Sequence, residues 1–285
     1  MAESEATPLI GVIVPVKDPH PAFLNEALES ILVQTVPRWR LAIVAEPDEL
    51  SRIEAQLRHL TADPRVRLLA NEGRGHAGAV NTAMRAADTE FVALLLGDDL
   101  WHPDAIAVLE DHITRYSNAD FFHSARRIVN DRGEPISGVH PPRPAVTLAD
   151  FRAGTPVKHL LCWRRRLGLR VGGLDERIQI GPDDFDFPWT MSERGAVFCP
   201  INECLYIYRD HRAARRLTID VPLSIQIREM RLVMRKHGMS RREVNHRLEE
   251  ARRTHLRQAR YRSPLHRQLC RWLGSEPPAW RDSYR

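Results

Sequence analysis

Four short apolar runs set the strongest limit on what this chain can fold into. LIGVIVPV (9–16), RLAIVAE (40–46), VRLLAN (66–71) and FVALLLG (91–97) are each apolar on both faces. Strands of that kind belong in the interior of a parallel sheet, where helices cover both sides. Helix-forming segments lie between them. PAFLNEALESILVQT (21–35) places Phe23, Leu24, Ala27, Leu28, Ile31 and Leu32 on one stripe, and AGAVNTAMRAA (77–87) is a second helix former. PDAIAVLEDHITRY (103–116) opens with a proline at a helix start. Alternation of this type predicts an α/β fold, a nucleotide-binding sheet flanked by helices.

The texture changes after Asn130. NDRGEPISGVHPPRP (130–144) is expected to be a loop, because Gly and Pro dominate it. A mixed region follows, with a helix around 184–194 and two short strands, AVFCPI and CLYIYRD. From about Asp220 the pattern is helical, and Ser240 with Glu243 forms a capping box at the head of the last helix. The expected organisation is a domain over 1–211, divided into a nucleotide-binding half (9–130) and an acceptor-side half (131–211). A basic helical extension occupies 212–285.

Charge follows that division. From Arg209 onward there are 20 Lys+Arg against 8 Asp+Glu, whereas the preceding part has 22 against 29. Without aromatic interleaving, the basic tail does not point to nucleic acid. Three roles stay open for it: a homodimer contact through the C-terminal helices, peripheral contact with an anionic membrane, or an acidic acceptor carrier. Apolar residues on one helix face (Ile225, Met230, Val233, Met234) favour packing against protein. The start of the chain is acidic before it is apolar, unlike a secretory signal, and the four cysteines form no CxxC pair. A cytoplasmic location with reduced thiols is expected.

Open parallel sheets bind ligands beyond the carboxyl ends of their strands. Lys17 and Asp18 follow the first strand, Glu46 and Asp48 the second, Asp98 and Asp99 the fourth. VPVKDP supplies neither a GxGxxG nor a GxxxxGK[ST] loop, which argues against dinucleotide and P-loop sites. It also lacks the glycine-rich loop of a sugar-phosphate nucleotidyltransferase. Adjacent carboxylates repel unless something joins them, and a divalent cation carrying a diphosphate would do so. A second acidic cluster, Asp183, Asp184 and Asp186, lies within VGGLDERIQIGPDDFDFPW, and one of these could act as a general base.

VIVPVKD, LLGDDLWHPDAI, GGLDERIQIGPDDFDFPW and YIYRDH occur here in one order. Together they resemble the family 2 glycosyltransferases of the GT-A fold, over roughly residues 9–211. The resemblance implies an inverting transfer from a nucleoside-diphosphate sugar, UDP-linked, assisted by Mn2+ or Mg2+. It implies Asp98 at the ribose or metal, Asp99 and His211 as metal ligands, Asp184 as base and Asp183 at the acceptor. Pro15, Val16 and Lys17 would border the nucleobase, Glu46 would read it, and Arg74 would face the base or diphosphate. Arg212 or Arg215 would help to stabilise the departing diphosphate, and Trp163 would lie on the acceptor side. Leu96 stands where many members carry a further acid. That departure leaves a non-catalytic nucleotide-sugar-binding scaffold as the alternative.

Overall fold

The computed structural model describes residues 8–179, 181–211, 221–262, 268 and 272. The chain divides into two compact units, 1–215 and 216–285.

The first unit begins with the expected alternation. β1 (Ile10–Val16), β2 (Trp39–Ala45), β3 (Val66–Ala70) and β4 (Phe91–Leu94) are separated by α1 (Pro21–Leu32), α2 (Leu50–Gln56) and α3 (Gly75–Ala86). These four strands are parallel and lie in the order β3-β2-β1-β4. In the inner strands the apolar residues are buried: Val12, Val14, Ile43 and Ala93 pack with Leu24, Leu28 and Ile31 of α1, whereas at the edge strand β3 Leu68 and Leu69 are only partly covered and Ala70 is exposed. Order reverses between β1 and β4, so the chain ends leaving those strands open a crevice there.

β5 (Leu100–Trp101) and α4 (Ala105–Arg115) follow β4, then β6 (Phe121–Val129), β7 (Pro135–His140), α5 (Leu148–Ala153), β8 (Leu161–Arg164) and α6 (Arg165–Arg170). A π-helical turn (Pro182–Asp186) leads into α7 (Phe187–Glu193), and β9 (Phe198–Arg209) closes the unit. The sheet continues from β4 as β8-β6-β9-β5, with β7 added to β6. β6 and β9 pair in parallel, while β8, β5 and β7 are antiparallel to their neighbours.

Two expectations are corrected. The segment 130–144 is not all loop, because Pro135–His140 forms β7. Asn130 Oδ1 accepts from the backbone N–H groups of Arg132 and Glu134, and Gly133 takes φ +78°, which turns the chain back onto β6. Pro135 opens this edge strand, a position where its missing N–H costs little. The two short strands expected after Ala196 are one strand of 12 residues. Exposed Asn202 and Glu203 break the apolar pattern because they form a bulge, marked by a register shift between Ser124↔Ile201 and Ala125↔Cys204.

The loop after α6 is fastened to α3 chiefly through Asn81, with Glu176 of the loop accepting from the Arg74 N–H at the head of that helix. Asn81 Nδ2 donates to the Leu174 carbonyl (2.9 Å), and Asn81 Oδ1 accepts from the Leu174 N–H (2.8 Å). Gly173 permits this approach: its φ is +75°, and a Cβ there would lie 2.3 Å from Asn81 Oδ1.

In the second unit, α8 (Leu223–Lys236) packs against α9 (Arg241–Arg262). Ile227, Val233, Met234, Val244 and Leu248 are buried. The capping box is present: Ser240 N donates to Glu243 Oε2 (2.7 Å) and Glu243 N to Ser240 Oγ (3.3 Å). Among the described residues no helix is long and apolar enough to cross a membrane.

Gly173→Ala is expected to destabilise the first unit by about 2 kcal/mol or more, since it imposes a positive φ on alanine and displaces a buried amide. Urea denaturation of the variant against the wild type measures this.

Candidate active site

The chain leaving β4 turns at Leu96, where the Asp99 N–H bonds to the Leu96 carbonyl (3.1 Å). That turn sends the two adjacent carboxylates in different directions. Asp99 is buried, and both of its oxygens are engaged. Tyr206 Oη donates to Oδ2 (2.7 Å) and the Arg209 N–H to Oδ1 (2.7 Å). Burial, and then the charge of Asp98, push the Asp99 carboxyl well above the usual carboxylate range, while the bonds from Tyr206 and Arg209 oppose that shift. The repulsion of the pair is therefore relieved by drawing one member into the fold.

Asp98 stays accessible, its side chain 42% exposed. Its Oδ2 lies 3.0 Å from His211 Nε2, and the opposite ring nitrogen, His211 Nδ1, is buried with no hydrogen-bond partner among the described residues. Phe23 of α1 packs on the His211 ring (4.8 Å between centroids) and lies beneath the Arg209 guanidinium (4.4 Å). Arg209 also donates to the carbonyls of Asp98 (3.0 Å) and Asp131 (3.2 Å) and pairs with Glu26.

The second acidic cluster is divided in the same way. Asp183 is buried between two imidazoles, with His159 Nε2 at 3.0 Å from Oδ2 and His76 Nε2 at 3.6 Å from Oδ1. Burial alone would raise its pKa. The hydrogen bond from His159 and the charges of His76 and His159 outweigh burial and hold Asp183 below the usual carboxylate range. Asp184 is only partly covered, and Lys158 Nζ lies 3.4 Å from its Oδ2. Gly181, at φ +62°, leads into the π turn that presents both carboxylates.

The two acidic centres are joined through packing. The His159 ring, which holds Asp183, stacks on the Tyr206 ring, which holds Asp99, at 5.3 Å between centroids.

Other residues singled out by sequence fall in different places. Pro15 and Val16 end β1, and Lys17 beyond them is exposed. Glu46, just past β2, accepts from Asn71 Nδ2 (3.3 Å). The Arg74 side chain is exposed, while its backbone N–H is held by Glu176. Trp163, expected on the acceptor side, is instead a core residue: it is 1% exposed on β8, stacked on Phe121, edge-on to Phe187, with Nε1 3.4 Å from Met84 Sδ. Arg212 and Arg215 lie outside the described residues. The sequence reading missed Lys158, His159 and His76. It contained Tyr206 and Arg209 within YIYRDH without giving either a part. Among the described residues no group of three or more His, Cys, Asp or Glu side chains is arranged to hold a metal ion.

Comparison with known proteins identifies the family and the fold. The pattern described as Glycosyl transferase family 2 matches residues 11–162. The chain belongs to that family. Among curated relatives, the E. coli UDP-Glc:alpha-D-GlcNAc-diphosphoundecaprenol beta-1,3-glucosyltransferase WfgD is 28% identical over 124 residues, 43% of this chain and 47% of WfgD. Several relatives are much longer, and the chain spans only 17% of the Myxococcus xanthus O-antigen biosynthesis protein RfbC. S. aureus TarS, solved with UDP-GlcNAc, superposes with TM-score 0.63 at 18% identity, covering 85% of this chain and 70% of TarS. Mannosyltransferase PcManGT from Pyrobaculum calidifontis, solved with GDP-Man and Mn2+, gives TM-score 0.57 at 20% identity over 86% of this chain and 69% of that one. These likenesses establish the GT-A fold.

Asp183 has a pH signature. Its folded-state pKa is depressed, so its contribution to stability is present above about pH 4, the unfolded carboxylate value, and is lost as pH falls further toward the folded value. Asp183→Asn should therefore destabilise the protein near pH 6 and differ progressively less from wild type below about pH 4. Chemical denaturation across that range reads the difference.

Proposed function

We propose that this family member transfers a sugar from a nucleoside-diphosphate donor, UDP-linked, to an acceptor hydroxyl with inversion at the anomeric carbon, and that Asp184 is the base. One observation carries the assignment. Of the two carboxylates at the π turn, Asp183 is sealed between His159 and His76, and Asp184 remains accessible beside Lys158. A base must reach the proton it removes. The acceptor O–H gives its proton to Asp184 as its oxygen attacks, a C–O bond forms on one side, and the bond to the diphosphate breaks on the other. A single displacement of this kind inverts the centre. Lys158 orients the carboxylate. Asp183, fixed by two imidazoles, holds the turn in register and does not itself contact the acceptor.

The donor set fits a divalent cation, in a way that differs from the expectation drawn from resemblance. Both oxygens of Asp99 are committed to Tyr206 and the Arg209 amide, so Asp99 braces the turn. Asp98 and His211 are the pair that would hold Mn2+ or Mg2+. Such ions complete their shell with substrate phosphates and water, so a preformed cluster of three protein ligands is not required. When bound, the cation supplies positive charge beside the departing diphosphate. The Mn2+ and the nucleotide-sugars in the two structural neighbours support this reading. Pro15, Val16, Lys17, Glu46 and Arg74 border the nucleotide in the same proposal. A cytoplasmic location and self-association through 212–285 complete it.

Hydrolysis of a UDP-sugar, with water replacing the unidentified acceptor, tests the base. Asp184→Asn should lower the rate by about 100-fold or more, with UDP affinity unchanged within about twofold. Near-normal turnover would remove Asp184 from the role. For the cation pair, His211→Ala should weaken UDP binding about tenfold in the presence of Mn2+ and leave metal-free UDP binding unaltered. An equal loss in both conditions contradicts the assignment.

A further inference from the structure

Arg126 of β6 lies in register with His140 on β7 and with Tyr206 on β9. Paired residues on neighbouring strands project to the same face, about 5 Å apart. Tyr206 bonds to Asp99, so this row of three side chains runs outward from the rim of the candidate active site.

The row is unusual in what it lacks. The Arg126 guanidinium is half-buried and lies 5.8 Å from the Tyr208 ring, yet among the described residues it has no hydrogen bond and no ion pair. Arg209 and Arg164, by contrast, are each satisfied by carboxylates and carbonyls. His140 Nε2 is likewise buried without a partner. Burial, and then the Arg126 charge, hold His140 below the ordinary imidazole range, so it presents a neutral ring. The Arg126 charge acts on the buried Asp99 carboxyl, but that group is already held by Tyr206 and the Arg209 amide and makes no direct ion pair with Arg126, so the guanidinium keeps its donors unspent at a cost. A planar fork of donors beside an imidazole N–H suits an oxyanion, and a phosphate in particular, since guanidinium binds phosphate oxygens in pairs.

We infer that Arg126 and His140 form a phosphate-binding subsite at the acceptor side of the active site, built to take a phosphate group carried by the acceptor. The assignment to the acceptor rests on the proposed glycosyltransferase reaction. It follows from position: β7 lies outside the four-stranded β1–β4 half, at whose rim the donor nucleotide is placed, and Asp98 with His211 already serve the donor diphosphate.

Inorganic phosphate and glycerol 3-phosphate serve as probes, with Kd and Tm measured for wild type, Arg126→Met, Arg126→Lys and His140→Ala, alongside UDP with Mn2+. Wild-type Tm should rise with phosphate concentration. Arg126→Met should abolish that rise and weaken glycerol 3-phosphate binding about tenfold or more, while UDP–Mn2+ affinity stays within about twofold. Lys, which keeps the charge without the fork, should fall between, and His140→Ala should lose about threefold. Unligated Arg126→Met should melt no lower than wild type, because no hydrogen bond or direct ion pair is lost and the Met side chain can still cover the Tyr208 ring. A lower unligated Tm would make Arg126 structural and overturn the inference. Unchanged phosphate binding in Arg126→Met would overturn it too, and so would a parallel loss of UDP, which would assign the pair to the donor. Absence of UDP binding in every variant, with phosphate binding still dependent on Arg126, would defeat the donor reading and uphold the subsite.

Discussion

The Asp99 carboxylate, held by the Tyr206 hydroxyl and the Arg209 amide, is the interaction on which the rest of the site depends. It joins the turn after β4 to the end of β9, two segments more than 100 residues apart in sequence. A buried carboxylate without donors would cost several kcal/mol. With both oxygens satisfied, the same group becomes a fixed point. From it, Asp98 is directed outward, His211 is delivered to Asp98 two residues beyond Arg209, and Tyr206 is set to receive the His159 ring. Removing the Tyr206 hydroxyl or shifting β9 would disturb both carboxylate centres together.

A common logic governs the two acidic pairs. Each places adjacent aspartates at a turn, buries one with hydrogen-bond donors, and leaves the other accessible beside a basic group. Asp99 is satisfied by Tyr206 and the Arg209 amide, and Asp183 by His159 with His76 alongside. Asp98 then meets His211, and Asp184 meets Lys158. Two neighbouring carboxylates thus acquire different chemistry from their surroundings alone. The buried members are shifted in opposite directions: the Asp99 carboxyl is pushed above the usual carboxylate range, whereas Asp183 is held below it.

The first half of the fold was legible because its signals are local. Strands β1 to β4 are apolar on both faces, and that pattern has few other homes. Beyond Asn130 the signals mislead. Pro135 reads as a breaker but opens an edge strand, and Asn202-Glu203 reads as a gap but is a bulge within one strand. Among site residues, the aspartates and His211 could be found by their order in the chain. Which member of each pair is buried could not, because it depends on partners such as Tyr206 and His159 that are close only in space. Trp163 illustrates the opposite error. Arginines follow it in sequence and lend it a surface texture, yet β8 lies inside the sheet between β4 and β6 and is buried on both faces as far as Trp163.

The bulge in β9 has a geometric effect that reaches past its own position. Between the pairings Ser124↔Ile201 and Arg126↔Tyr206, β9 advances five residues while β6 advances two. The surplus is odd, so the inward and outward faces of β9 exchange relative to β6 across the irregularity. Everything carried by the distal stretch, from Cys204 to Arg209, therefore takes its orientation from that offset and not from the strand's beginning. Shortening the bulge by one residue would leave the composition of YIYR untouched and turn its side chains to the wrong side of the sheet.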